Sequence, residues 1–528
     1  MERHEWGESA VDRALFETCI TCKLADAAQV SPNKIAVQFG DQSLTFRDLH
    51  LRALATADAL RAAGIGRGDV VGASSYNSLD YVVLFFGCHA AGIVWSPLNV
   101  ALTEHEVTSH LVHLRPAAIA ASSEMAASVK RASEELGVDS LAIENLVPTA
   151  TEGSTRDHEC LTGHDSAWII FSGATTGHPK AIELPAAWAA ASTGRVMDAV
   201  GLREDDIVYS VLQMYHAWQS LHVLIACVTY RCTVVMRRWF SASEWLDDAR
   251  RVGATVVDPL AAMIGAILAQ PVRPDDADNP IRIGVNGVTD GTDRTIRNRT
   301  TFLERFGIPT VNIYGLTEAG AAVGWELQST PEPNPGLRPS DDYDVLVADE
   351  HGWPCAPGEV GEVLVRPRFP GIVAKGYAKD GEKTVASWRD LWIHTGDRAR
   401  TDDDGNIAFV GRDAFWIRRR GENLSAGEVE NAIRELSGVA DVAVIGVDGE
   451  LGEQEILAFI EPIDGSEVAF PVLHEQLAER LAYFKMPRFY QLCLSLPRTA
   501  KGDVMRHHLQ RDQTAIWDTQ EKQRPGGR

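Results

Sequence analysis

Apolar positions recur at helical spacing from Phe46 to Ala63 and again, almost without polar interruption, from Tyr81 to Ala91, with a short β-branched run between them. This pattern predicts helix, strand, helix, with Gly64, Gly66 and Gly68 closing the first helix and admitting the strand. The same α/β alternation returns over residues 200–315, where Val234–Met236, Thr255–Asp258, Ile281–Val285 and Pro309–Gly315 read as short buried strands between helices. From Asp342 to Val410 the texture changes to short alternating strands punctuated by Asp-Gly and Pro-Gly turns, the pattern of an all-β lobe. A last segment after Gly411 carries its own α and β elements, and the polar run from about Gln510 is expected to fray.

Hydrophobic cores stop growing near ~250–300 residues, so a chain of 528 residues requires at least two lobes. Hydrophobic residues make up 45% and charged residues 23%, which excludes collagen-like, coiled-coil and wholly disordered architectures. Fifty Lys and Arg against 73 Asp and Glu give a formal charge of −23. That field disfavours nucleic acid and anionic membrane surfaces as partners. The longest apolar stretch, Tyr81–Trp95, is broken by His89 and two glycines and falls short of the ~20 residues of a membrane helix. The acidic, polar first residues lack an apolar signal core, so a cytoplasmic protein is expected. The eight cysteines are scattered and imply no disulfide framework. Cys19-Ile20-Thr21-Cys22 is a lone CxxC with no second pair and no His at metal-ligand spacing, and it reads as helix packing.

The chemistry-bearing stretch is Trp168–Lys180, an apolar strand running into Ser172-Gly173-Ala174-Thr175-Thr176-Gly177-His178-Pro179-Lys180. Small hydroxyl residues and glycines ending in a cation suit phosphate oxygens. The spacing is not that of a P-loop NTPase. Further segments follow in order: Thr45-Phe46-Arg47-Asp48-Leu49 before this loop, then Tyr215-His216, Tyr314-Gly315-Leu316-Thr317-Glu318, His394-Thr395-Gly396-Asp397, Gly411-Arg412, Arg418-Arg419-Arg420-Gly421-Glu422-Asn423 and Leu496-Pro497-Arg498-Thr499. With them the chain resembles the adenylate-forming superfamily of acyl-CoA synthetases, nonribosomal adenylation domains and luciferases, over roughly residues 30–510, and it is nearest in motif to acyl-CoA ligases.

The resemblance implies an α/β fold: a large N-terminal AMP-binding domain, residues 1–411, built of two α/β subdomains plus the β lobe at about 342–410. A smaller, mobile α+β domain, residues 412–528, hinges at Ala414 and rotates between half-reactions, with the active site in the cleft between the two. It also implies ATP or an acyl-adenylate (AMP), CoA, Mg²⁺ and a small carboxylic acid as cofactors and substrates. Ser172, Gly173, Thr175, Thr176, Gly177 and Lys180 would surround the β- and γ-phosphates. Tyr314 would face adenine, Thr317 the α-phosphate, Glu318 the Mg²⁺, and Asp397 with Arg412 the ribose. His216, Asn286, Gly287, Val288, Gly315 and Leu316 would line the acyl pocket. Trp218 is a further candidate wall, although a buried aromatic is more often plain core. Arg418, Arg419, Arg420, Gly421 and Glu422 would border CoA, whose phosphates suit guanidinium groups.

One departure from the family pattern bears on mechanism. The family ends Pro-Lys/Arg-Thr-x-Ser/Thr-Gly-Lys, and the final lysine reaches the acyl carboxylate and α-phosphate during adenylation. This chain reads Pro497-Arg498-Thr499-Ala500-Lys501-Gly502-Asp503, with an acid at the lysine position. Ala174, where the phosphate loop usually has Gly, adds a methyl beside phosphate. Three readings remain open from these residues: a thioester-forming enzyme with weak adenylation, fed by a partner adenylating enzyme; a complete ligase in which Lys501 supplies the cation; and a protein that binds AMP or acyl-adenylate without turnover.

Overall fold

The computed structural model of the protein describes residues 16–148, 157–172, 180–287, 293–330, 336–412, 416–449, 453–463, 466, 468–498 and 504–520. The chain divides into two compact units: Met1–Val100, Leu111–Ile170 and Ala181–Gly411 form one, and Ala101–His110, Phe171–Lys180 and Arg412–Arg528 the other.

In the first unit the two helices expected from the apolar pattern are Phe46–Ala62 and Leu79–Ala90. The Thr45–Leu49 motif explains the start of the first. Thr45 Oγ1 accepts the Asp48 N–H at 3.1 Å while the Asp48 carboxylate reaches back to the Thr45 N–H at 3.4 Å. This reciprocal cap satisfies donors that would otherwise be orphaned at the helix start. The second helix is apolar all round and accordingly buried, the pattern of a core helix rather than a surface one. Its His89 accepts the Trp168 indole N–H at 2.9 Å, and burial pushes its pKa down to about 3, so it stays a neutral acceptor.

Two large sheets follow from the α/β pattern. One has seven strands in the order Gly376–Tyr377, Lys180–Pro185, Ser166–Ser172, Val94–Pro97, Val70–Ser74, Ala118–Ala121 and Asp139–Ala142. The other has nine, and its interior strands include Thr233–Met236, Val256–Val257, Ile283–Gly287 and Thr310–Leu316, which match the four apolar runs of the sequence. Those interior strands are parallel, with antiparallel partners at each edge. Continuous apolar runs are what a parallel strand covered on both faces requires. The expected β lobe is a four-stranded sheet of Tyr343–Ala348, Gly361–Pro367, Ile393–Thr401 and Ile407–Arg412.

The second unit holds the hairpin Trp416–Arg419/Glu422–Ser425, the helices Ala426–Arg434 and Phe470–Ala478, and a four-stranded sheet whose strands are Val439–Asp448, Gln454–Pro462, Phe489–Leu492 and Trp517–Asp518. The last of these corrects the expectation of a frayed tail. Trp517 lies 5.5 Å from the Tyr490 ring and stacks on Phe470, and Asp518 pairs with Arg488 at 3.2 Å. A single aromatic anchor with one ion pair outweighs the polarity of the run around it. No helix among the described residues is long and apolar enough to cross a membrane.

Candidate functional site

The Tyr314–Glu318 motif closes the strand Thr310–Leu316 and turns into Gly320–Gln328. Two features hold the turn. The Ala319 N–H donates to Leu316 O at 3.0 Å, and Gly320 sits at φ 106°, where an added Cβ would come within 2.7 Å of Tyr343 Oη. Only glycine combines that dihedral with that approach. The turn therefore presents Thr317 and Glu318 from a rigid strand end, both partly accessible.

Glu318 is oriented by residues that carry no signal in the sequence. Tyr377 Oη donates to its Oε1 at 3.0 Å, and its carbonyl accepts the Ala374 N–H at 2.8 Å. Burial first, and the Glu318 charge second, hold the Tyr377 phenol well above its ordinary pKa, so it remains a donor at neutral pH. A carboxylate with one oxygen steered by a phenol, and open to solvent, fits a hard cation that prefers one or two protein carboxylates plus phosphate oxygens.

Asp397 is nearly inaccessible, at 1% exposure, and accepts the Tyr314 hydroxyl at 2.8 Å. The Tyr314 ring packs 4.3 Å from Phe409 and is 2% exposed. Its ring is thus a packed support for Asp397. The rest of the His394–Asp397 segment is pinned by Glu362, which accepts from the Gly396 N–H at 3.1 Å and lies 3.0 Å from His394 Nδ1. Thr395 Oγ1 in turn donates to Val363 O at 2.7 Å and accepts the Asp397 N–H at 3.0 Å. A buried carboxylate fixed on a strand is preorganised to receive hydroxyl donors.

The residues expected to form an acyl pocket separate into different environments. Asn286 is 1% exposed and donates to Asn312 Oδ1 at 3.4 Å; Asn312 donates to Glu326 at 3.0 Å, and Arg299 pairs with Glu326 at 2.8 Å. The Asn286 amide nitrogen joins this buried ladder, while its Oδ1 makes no hydrogen bond among the described residues. Gly287, next along the strand, has no described atom within 4 Å of where a Cβ would stand. His216 is partly accessible beside Tyr215, 4.4 Å between ring centroids, and just precedes a π-helical turn, Trp218–Val223. Such turns are rare and concentrate at functional sites. Trp218 is half-buried; its indole N–H donates to Asp258 at 2.8 Å and its ring stacks on His222, which lies 2.9 Å from Ser192 Oγ.

Asp258 is not among the residues expected from the sequence, although an acid closing the buried Thr255–Asp258 run is a visible signal. Desolvation pushes its pKa from 3.8 up to about 6 despite hydrogen bonds from Ser210 and Trp218. A carboxylic acid whose pKa is raised by folding binds its proton more tightly in the native state, so its contribution to stability falls as pH rises from about 3.8 to about 6 and the cost is fully present above 6. Asp258→Asn, neutral at every pH, is expected to remove that fall; comparing melting temperatures of both proteins between pH 4 and 8 checks it, and parallel curves would refute it.

In the second unit the three arginines part company. Arg419 is 5% exposed, donates to Phe484 O at 3.2 Å and Met486 O at 2.6 Å, and pairs with Glu455 at 2.6 Å. Arg418 lies within the unit, 3.6 Å from Glu453, and its N–H donates to Gln454 at 3.1 Å. Arg420 is exposed, with its guanidinium 5.4 Å from the Tyr483 ring centre. Its φ of 55° and that of Gly421, 81°, form the turn, and the Gly421 N–H is held by the Glu453 carboxylate at 3.0 Å. Glu422 opens the return strand, paired with Arg419. Arg419 thus supports the hairpin, and Arg420 is the guanidinium presented to solvent. Arg419→Ala is expected to cost about 3 kcal/mol of stability, the low end for a broken buried ion pair because Arg488 remains 3.9 Å from Glu455, read as a lowered denaturation midpoint.

Ser172 ends the strand Ser166–Ser172 and Lys180 opens Lys180–Pro185, so the phosphate loop joins two neighbouring strands of the seven-stranded sheet. Gly173, Thr175, Thr176 and Gly177 within it lie outside the described residues, as do Val288, Ala414, Lys501 and Asp503. Arg412 is described only as the end of its strand. Flanking Lys501 and Asp503, Arg498 pairs with Val504 in an antiparallel bridge, and the Arg498 guanidinium is anchored to Asp441.

The fold is shared with known proteins. A crotonobetaine/carnitine–CoA ligase of Proteus mirabilis is 27% identical over 521 residues, covering 92% of this chain and 97% of its own. The solved o-succinylbenzoate CoA synthetase of Bacillus subtilis, with its product analogue, superposes at a TM-score of 0.82 with 24% identity, covering 92% of this chain and 97% of that one. An amide bond synthetase from Marinactinospora thermotolerans gives a TM-score of 0.80 at 21% identity, over 92% and 98% of the two chains. The AMP-binding enzyme family matches residues 24–378, and the AMP-binding enzyme C-terminal domain matches residues 428–503. With both domains matched and the resemblance carried by the motifs borne out, the chain belongs to the AMP-binding, adenylate-forming enzyme family.

Proposed function

We propose that this protein is an acid–CoA ligase that makes a CoA thioester through an acyl-adenylate, and that its adenylation half-reaction is the weaker one because Asp503 stands where a cation is needed. The observation that carries the nucleotide part is the buried Tyr314–Asp397 pair, 2.8 Å apart, at the end of a rigid strand. Asp397 would accept the ribose hydroxyls, Arg412 would stand beside them, and Thr317 would donate to the α-phosphate. The phosphate loop from Ser172 to Lys180 would enclose the β- and γ-phosphates, and Glu318 would hold Mg²⁺, whose charge offsets that of the polyphosphate. The carboxylic acid would lie toward His216, Gly287, Val288, Gly315 and Leu316.

The CoA part is supported by the exposed Arg420 turn and by relatives that are CoA ligases. Arg420→Ala is expected to raise KM for CoA roughly 10-fold, the worth of one charge-assisted contact, with the exchange reaction of the first half unchanged. An unchanged KM would remove Arg420 from the CoA site.

In adenylation a carboxylate attacks the α-phosphorus and pyrophosphate leaves, so negative charge converges on one point. A positive side chain there is worth about 4 kcal/mol at ~4 Å and an effective dielectric near 20, and a negative one has the opposite sign. Thioester formation is attack by the CoA sulfur on an acyl-adenylate already made, with AMP as leaving group, and does not require that cation. A partner enzyme would then supply the acyl-adenylate. The alternative is a complete ligase in which Lys501 supplies the charge, since residues i and i+2 of an extended segment share a face. Measuring ATP–pyrophosphate exchange over a panel of acids, beside thioester formation from synthetic acyl-adenylates, separates them. Robust exchange with any acid would overturn the weak-adenylation reading; AMP binding with neither activity would overturn both.

A further inference from the structure

The isolated CxxC of the N-terminal region acquires the two partners that its sequence neighbourhood lacks. Cys19 caps the helix Ile20–Val30, and the Cys22 N–H donates to its Sγ at 3.4 Å. From 136 residues further on, His158 Nε2 comes within 3.3 Å of Cys22 Sγ, and Cys160 Sγ lies 3.1 Å from the same sulfur. One ligand atom from each of the four residues falls within 4.8 Å of every other. Tertiary folding thus brings to Cys19 and Cys22 two potential ligands that their local spacing does not offer.

We propose that Cys19, Cys22, His158 and Cys160 form a tetrahedral, structural zinc site that ties the start of the N-terminal helix to the segment leading into the strand Ser166–Ser172. Zinc–sulfur bonds of about 2.3 Å place the corners of a tetrahedron roughly 3.8 Å apart, within the spread of separations seen here. Three thiolates and one neutral imidazole are a closed structural ligand set, with no position left for water or substrate. Both ligand pairs are held by contacts independent of any ion. Cys19 and Cys22 sit on the first turn of a helix, while the Glu159 N–H donates to Ala90 O at 2.9 Å and Arg67 donates to Cys160 O at 3.3 Å and to Glu159 at 2.9 Å. Arg67 also pairs with Asp165 at 3.0 Å, which braces this segment further. Cys19 is buried but Cys22 and Cys160 are exposed, which gives the ion a path in. None of the four belongs to the residues assigned to nucleotide, acid or CoA.

The test uses the full chain, purified without chelator or affinity metal and dialysed against Zn²⁺. About one zinc per chain is expected, and Co²⁺ exchanged into the site should show thiolate-to-metal charge transfer and the intense visible bands of a tetrahedral complex. Zn²⁺ should protect Cys19, Cys22 and Cys160 from alkylation while leaving the reactivity of Cys355, in the β lobe, unaltered. Cys22→Ser and Cys160→Ser should each weaken zinc binding by at least ~100-fold, since even an outer partner of a ligand can cost that much. If a ligand variant fails to fold, the cobalt spectrum and alkylation pattern of the unmodified chain still decide. No retained zinc, thiol reactivity indifferent to Zn²⁺, or a Cys22–Cys160 disulfide in place of a bound ion would each overturn the site.

Discussion

Replacing Asp503 by lysine is expected to raise ATP–pyrophosphate exchange by ~10²–10³-fold, the range associated with one transition-state donor, while thioester formation from a preformed acyl-adenylate changes little. The reason is the direction of charge flow. Adenylation brings the acid's carboxylate to a triphosphate, whereas thioester formation starts from a mixed anhydride with most of that charge gone. Reversing one side chain from −1 to +1 should therefore move the first half-reaction and spare the second. Lys501 provides the internal control. If it already supplies the cation, Lys501→Ala will abolish exchange in the parent protein, and Asp503→Lys will add little. If it does not, Lys501→Ala will be silent in both backgrounds. A gain in exchange matched by an equal gain in thioester formation would mean that the substitution acts on folding rather than on chemistry. The flanking anchor makes such an outcome readable, since Arg498 is bridged to Val504 and bound to Asp441 independently of residue 503.

Asp397→Ala is expected to weaken acyl-adenylate binding by ~10²–10⁴-fold, since a carboxylate accepting two hydroxyls loses two charge-assisted hydrogen bonds of roughly 1.5–3 kcal/mol each. The same change removes the carboxylate to which the buried Tyr314 hydroxyl donates at 2.8 Å. Tyr314→Phe keeps the carboxylate but removes its tether, and a loss of about 10-fold is expected, one neutral-to-charged hydrogen bond. Titration with a non-hydrolysable acyl-adenylate analogue gives both numbers, and CoA titration in parallel serves as the check on fold integrity. If CoA affinity falls along with adenylate affinity, Asp397 is holding the protein together rather than the nucleotide.

Much of the fold is legible in the order of residues alone. The parallel strands are suggested because a strand covered on both faces tends to be continuously apolar, a pattern that Val234–Met236 meets. The helix Phe46–Ala62 shows in its period and in its Thr45 start signal. The tail defeats a compositional reading because composition averages over a run, while Trp517 alone finds an aromatic slot beside Tyr490. Within the candidate site, motif order suffices to name Tyr314, Glu318 and Asp397, but not their supports. Nothing near Tyr377 in the sequence marks it as the phenol that steers Glu318, because that contact spans 59 residues.

The arginine run shows the same division more sharply. Arg418, Arg419 and Arg420 are identical letters in sequence, yet Arg419 is buried against Glu455, Phe484 and Met486 while Arg420 is exposed. Arg419 ends the strand Trp416–Arg419 whereas Arg420 already lies in the turn at φ 55°, and only the folded hairpin decides which of the two is carried inward. The letters along the chain suffice for the α/β class, the order of the chemical motifs and the presence of an acid, Asp503, after Lys501-Gly502, since each of these is a property of residue identity and spacing. Packing in three dimensions is what commits Asn286 to a buried ladder, makes Arg419 a support, and brings Cys19 and Cys22 to His158 and Cys160. Those outcomes depend on which distant segments share a volume, and local physics carries no record of that.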